Sequence, residues 1–222
     1  VSTTPPDHAD DGDDGDRPLI PEGIIDRLRA DPVRAPETLA LAAADQHAPS
    51  ATVWLDQMRR EFRMGPEELA KRAKRRHATL ARFGGAATGL GGWVTVVPDL
   101  VALAWIQSRV VFYVAGAYGF DPYDPMRPAE LLVLQGLYPD PAEARAALDG
   151  TGTPVASAFV DKKITDSQDR KLTRTLMNMV GKQMGTRVAG RLIPGVASVF
   201  NAVSNERDTR AIADRAIHFY GG

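Results

Sequence analysis

Apolar residues recur at three- and four-residue steps through most of the chain, and no stretch alternates apolar and polar positions for long enough to propose a strand. Trp54, Leu55, Met58 and Phe62 make one helical face, Leu69, Ala73, Leu80 and Phe83 a second, and Met177, Val180, Met184 and Val188 a third. The pattern predicts an all-α, multi-helix domain punctuated by proline and glycine. Residues 19–49 read as short helices and linker broken at Pro21, Pro32 and Pro36. Pro49-Ser50 opens the first long helix of the main domain, 50–222, with Ser50 as N-cap and Gly65 as its stop. Pro66 restarts a helix with Glu67 and Glu68 in the first turn, where the helix dipole favours acids. Asp124-Pro125 opens a helix holding Leu131, Leu132, Leu134 and Leu137, and Pro141 opens another that ends at Asp149-Gly150. Residues 155–165 are expected to be helical, as is the chain from 168 on, with breaks at Pro194-Gly195 and near Asn205.

The middle of the chain departs from this amphipathic pattern. Between Phe83 and Phe120 only Asp99 and Arg109 are formally charged. The Gly-rich part up to Val97 and the apolar part from Pro98-Asp99 to Gly119 predict a central apolar helical hairpin, with Gly119 as the stop. A helix without a polar face belongs in a protein core or in lipid. The Gly-rich arm is too short to span a bilayer, which takes roughly 20 apolar residues, and Gln107, Ser108 and Arg109 interrupt the second arm, so a buried core is expected. Gly85-x3-Gly89-x8-Pro98 recurs as Gly181-x3-Gly185-x8-Pro194, the pattern of an internal pseudo-repeat. Glycines four apart share a helix face and admit a neighbouring backbone, which marks Gly85, Gly89, Gly181 and Gly185 as helix-packing positions.

Charge adds an asymmetry that the net value of −1 hides. Residues 1–18 hold Asp7, Asp10, Asp11, Asp13, Asp14 and Asp16 and almost nothing apolar, the composition of a disordered acidic tail. Positive charge is concentrated in Lys71, Arg72, Lys74, Arg75, Arg76 and Arg82, so an anionic partner is to be sought there first. No cysteine is present, which excludes a disulfide framework and thiolate metal sites. The polar, acidic N-terminus does not read as a secretory signal, and a cytoplasmic location is expected.

Several pieces together resemble the EcsC family. They are the Gly-Gly-x3-Gly run from Gly84, Pro98-Asp99 opening an apolar helix, and Tyr118-Gly-Phe-Asp-Pro122. Leu192-Ile-Pro-Gly195, Asn201 in an apolar helix and the closing His218-Phe-Tyr220 extend the resemblance over roughly 50–220. The resemblance implies an all-helical bacterial protein of poorly characterised function, without an established catalytic residue, in a family named for an operon that encodes an ABC transporter linked to secretion. The acidic tail and the basic run at 71–76 depart from that pattern.

Catalytic signatures are missing. Gly92 is followed by Trp93, not by the Lys of a phosphate loop, and a basic helix stands where a dinucleotide fingerprint needs a strand. His8, His47, His77 and His218 lack metal-ligand spacing, and no G-x-S-x-G elbow occurs. Asp121 and Asp124 read as turn and cap residues. Neither a cofactor nor a metal is expected. Asp99 and Arg109 lie ten residues apart, about 15 Å on one straight helix, and cannot pair within it. With Asn201 they are candidates for a buried polar network or pocket.

The expected function is therefore a non-enzymatic accessory protein, linked to transport or secretion. It would be held peripherally at the inner membrane through Lys71, Arg72, Lys74, Arg75 and Arg76 and part of 83–98. Its partner would be the membrane surface or a membrane-protein complex. The alternative is a soluble helical domain that binds an apolar small molecule or lipid near Arg109. Nucleic acid is not expected, because no aromatic residue interleaves the cations of 66–82.

Overall fold

A computed structural model describes residues 20–84, 96–158, 168–181 and 197–222. Eight α-helices follow one another among the described residues: α1 (Ile24–Ala30), α2 (Ala35–Phe62), α3 (Pro66–Gly84), α4 (Val96–Ala117), α5 (Arg127–Leu134), α6 (Pro141–Leu148), α7 (Gln168–Gly181) and α8 (Ala197–Gly221). A single 3-10 turn, Val155–Ala158, is all that is described of the helix expected over 155–165, and no strand occurs among the described residues. The all-α expectation holds. The acidic tail, most of the Gly-rich arm and the positions of Gly85, Gly89, Gly185 and Pro194 lie outside the described residues, and the pseudo-repeat with them.

α4 is the centre of the molecule. The stretch Leu100–Ala117 is long and apolar enough to cross a bilayer, and 89% of it is buried inside the protein. Trp105, Phe112 and Tyr113 are sealed at its middle. Burying a large apolar side chain contributes roughly 1.5–3 kcal/mol, so this helix, apolar all round, is best accommodated by partners on every side. α2, α3, α7 and α8 supply them. At its end Gly119, with φ +89°, allows Phe120 N–H to donate to Ala115 C=O at 3.1 Å, the expected glycine stop. Gly116 sits where α2 crosses: a Cβ there would lie 2.3 Å from Leu55 Cδ1.

Three local expectations are corrected. α2 does not begin at Ser50 but runs from Ala35 straight through Pro49. Proline gives no N–H to the carbonyl four residues back, yet Pro49 is exposed, so that carbonyl can take water. Ala43, His47, Ala48, Ala51 and Trp54 are buried on both sides of Pro49 and hold the helix together by packing. Ser50 is no cap; its Oγ donates back to His47 C=O at 3.1 Å. Ile24, Leu28 and Leu39 belong to the same core cluster as the rest, so residues 24–49 are part of the domain and not a linker to it.

The second correction concerns α5, which starts at Arg127 and not at Pro125. Asp124 Oδ1 accepts from Met126 N–H at 2.8 Å and so closes the preceding turn, and Pro128 takes the first-turn place. Leu137 lies beyond the helix, after the left-handed Gly136. The third is the break near Asn205: α8 continues through it, because Thr209, Ile212, Ala213 and Ala216 pack along its length and outweigh one weak helix former. The start of α6 is as read, and the stop of α2 is shifted by two residues. Asp140 caps α6 by accepting from Ala142 and Glu143 N–H at 2.9 Å each. Arg63, at φ 49°, rather than Gly65 takes the left-handed position after α2.

Helix directions give the bundle two unlike poles. Lys74 of α3 meets Asp214 of α8, and His77 of α3 lies on Tyr113 of α4. Tyr118 after α4 packs against Gly221 at the end of α8. α3 therefore runs against both α4 and α8, and its end, Gly84, shares a pole with their starts, Val96 and Ala197.

Candidate functional site

α3 sorts its residues by face. Leu69, Ala70, Ala73, His77, Ala78 and Ala81 are buried, so the expected stripe holds at Leu69 and Ala73, whereas Leu80 is only partly buried and the buried face extends instead over His77 and Ala81; the side chain of Phe83 lies outside the described residues. The opposite face is cationic. No acidic residue follows Glu68 within the helix, and Arg72, Arg75, Arg76 and Arg82, spaced by three, four and seven, share one arc.

The five cations expected to act together divide into distinct roles. Lys71 Nζ pairs with Glu67 at 2.7 Å on the surface, and that hydrogen bond holds the Glu67 carboxyl below its usual range. Lys74 Nζ is 2.5 Å from Asp214 and ties α3 to α8. The Arg72 guanidinium lies 5.2 Å from the Phe62 ring centre, and that of Arg76 5.9 Å from Trp54. Arg75 is exposed, as is Arg82 two turns on. The solvent-facing cationic surface is thus centred on Arg75 and Arg82, with Arg72 and Arg76 braced beside them.

A second site lies inside. Arg109 is buried, and its Nη2 donates to Tyr113 Oη at 2.8 Å while the guanidinium covers the Tyr113 ring. Trp54 and His77 lie against that ring at 5.2 and 4.7 Å, and His47 lies 4.5 Å from Trp105. His77 Nδ1 sits 2.8 Å from Ala73 C=O, so Nδ1 carries the proton and Nε2 is left as an acceptor. Burial, reinforced by the Arg109 charge, pushes His47 down to about 3 and His77 well below its ordinary value, so both rings are neutral. His47 Nε2, His77 Nε2 and the indole N–H groups of Trp54 and Trp105 are buried with no hydrogen-bond partner. Mixed donors and acceptors of this kind suit ordered water or a small polar group. No group of three His, Cys, Asp or Glu side chains suited to a metal occurs among the described residues.

Sequence reasoning found Arg109 but missed the two histidines that flank it. The signal available was position: His77 falls on the alanine face of α3 and not on its arginine face. The side chains of Asp99 and Asn201 lie outside the described residues, and Gly181 closes α7.

A third cluster was unforeseen and joins two motifs. Arg127, with its side chain 6% exposed, bonds Glu130 and lies 3.3 Å from Asp124. Tyr220 Oη donates to Glu130 Oε2 at 2.5 Å, and the guanidinium lies 5.3 and 5.5 Å from the rings of Phe120 and Tyr220. Residues of the Tyr118–Pro122 run and of the closing His218–Tyr220 run thereby meet at the pole opposite Gly84.

The family model of the EcsC protein family matches residues 45–221. No curated protein and no solved structure matches the chain.

Proposed function

Since the chain belongs to the EcsC protein family, we propose that it is a non-enzymatic accessory protein that attaches peripherally to an anionic membrane surface through the arginine face of α3. The observation that carries this reading is the cationic arc Arg72–Arg75–Arg76–Arg82, two of whose members are exposed, running toward the pole where α3 ends. In the sequence, the stretches between α3 and α4 (85–95) and between α7 and α8 (182–196) contain Lys182, Arg187 and Arg191 and no acidic residue. Cations close to an anionic headgroup layer each contribute about 1 kcal/mol, and the effect fades within a Debye length. Because α4 is sealed in the core, attachment would be electrostatic and would not use that helix.

Flotation with vesicles of phosphatidylcholine and phosphatidylglycerol tests this. Binding is expected at low salt, and Arg75→Glu with Arg82→Glu should weaken it by at least about tenfold. Both positions are exposed, so the fold is spared. A protein that stays with the soluble fraction at low salt ends the proposal.

The four partnerless buried polar atoms, two beside Tyr113 (Trp54, His77) and two at the His47–Trp105 contact, favour a second reading, a helical domain that binds a small molecule or lipid at Arg109. Native mass spectrometry of protein purified from cells would reveal a retained ligand; a clean mass of the bare chain counts against it.

A further inference from the structure

We infer that the acidic segment Asp7–Asp16 of this same chain docks on the arginine face of α3. The inference rests on the membrane reading only for its consequence, which is competition with lipid. Three observations carry it. Asp7, Asp10, Asp11, Asp13, Asp14 and Asp16 stand within ten residues with no intervening cation, and they match the stretch Arg72–Arg82 of α3, which holds four arginines and no acid. The segment also joins the described chain at the pole toward which α3 runs. Ile20, the first described residue, lines a cleft with Ile24, Ile25 and Pro98, and Pro98 lies in the first turn of α4, at the pole where α3 ends.

Reach is sufficient as well. An extended chain spans at most about 3.3–3.6 Å per residue, so Asp7 can lie about 45 Å from Ile20. α3 is about 28 Å long, and Arg72 to Arg82 covers about 15 Å of it. Tethering converts even a weak contact into a frequently occupied one, because a short flexible linker gives an effective concentration of the order of millimolar. Carboxylates on guanidinium groups are the strongest pairing open to the exposed Arg75 and Arg82. The docked segment would occupy the cations that an anionic surface needs, so lipid must displace it.

The chain has no cysteine, so Gly12→Cys gives a single thiol for a nitroxide label inside the acidic segment without removing an acid. At about 0.05 M salt the label should broaden amide signals from Arg72 to Arg82, including exposed Thr79, more than those of exposed Ala142 and Glu143 of α6; at about 0.5 M the effect should vanish. It should also vanish in Arg75→Gln with Arg82→Gln. Absence of broadening at low salt, or its persistence in that double variant, overturns the docking. A chain with all six aspartates changed to Asn should bind phosphatidylglycerol-containing vesicles about tenfold more tightly than the unchanged chain. Equal binding overturns the competition. If neither chain floats while the broadening is intact, the membrane reading fails and the docking stands.

Discussion

His47 and His77 are held neutral by burial and by the Arg109 charge, and this makes them liabilities in acid. The unfolded chain binds protons at both near pH 6.5, while the folded chain refuses them until far lower. Their contribution to stability is thus complete above pH 6.5 and is lost as pH falls below it, toward about 3 for His47. Two pH units below 6.5, the His47 ring is expected to remove about 3 kcal/mol and His77 to add in the same direction, read as a falling urea midpoint between pH 7 and 4.5. A midpoint that is flat across that window would mean that the rings are solvated. The Arg127 cluster invites a sharper pair of substitutions. Tyr220→Phe keeps the ring beneath the guanidinium but loses the bond to Glu130, at a cost of about 1–2 kcal/mol. Arg127→Ala strands Glu130, whose burial already raises its carboxyl, and should cost about 3–5 kcal/mol. Thermal melts of the two variants give the order directly.

At the scale of elements, most boundaries were legible because they depend on local chemistry. Asp140 before Pro141, Gly119 after α4 and Pro66 with two glutamates act within a few residues of themselves. The misreadings at Pro49 and Asn205 share a cause. Each is a weak helix residue outweighed by packing that is invisible in the local sequence: buried turns on both sides of Pro49, and Thr209, Ile212 and Ala216 beyond Asn205. Pro49, which is exposed, therefore costs α2 one backbone hydrogen bond. Pro49→Ala should restore the hydrogen bond to the Asp45 carbonyl and raise stability by about 1–2 kcal/mol in chemical denaturation. A loss of stability would show that Pro49 is needed to seat His47 and Trp54. The site followed the same rule. The arginine face could be read from spacing alone, but the sorting of its cations into an interhelical pair, ring contacts and exposed charges depends on α8 and α2.

For the whole molecule, the family match begins at residue 45, yet the core begins at Ile24. Ile24, Leu28 and Leu39 are buried to within 1% and share one cluster with Trp105 and Leu176. Removing residues 1–44 would uncover their partners and cost several kcal/mol, which is comparable with the total stability of a domain. The shortened chain should lose its cooperative thermal transition, and a transition kept at the original temperature would show that α1 and the first turns of α2 are dispensable. The antiparallel run of α3 against α4 and α8 has one more consequence, for how this protein is handled. α8 is about 37 Å long and finishes beside Tyr118, so a fluorophore or affinity handle joined after Gly222 stands a full bundle length from Gly84. A surface that captures the molecule by that handle leaves the arginine-bearing tip pointing into the assay.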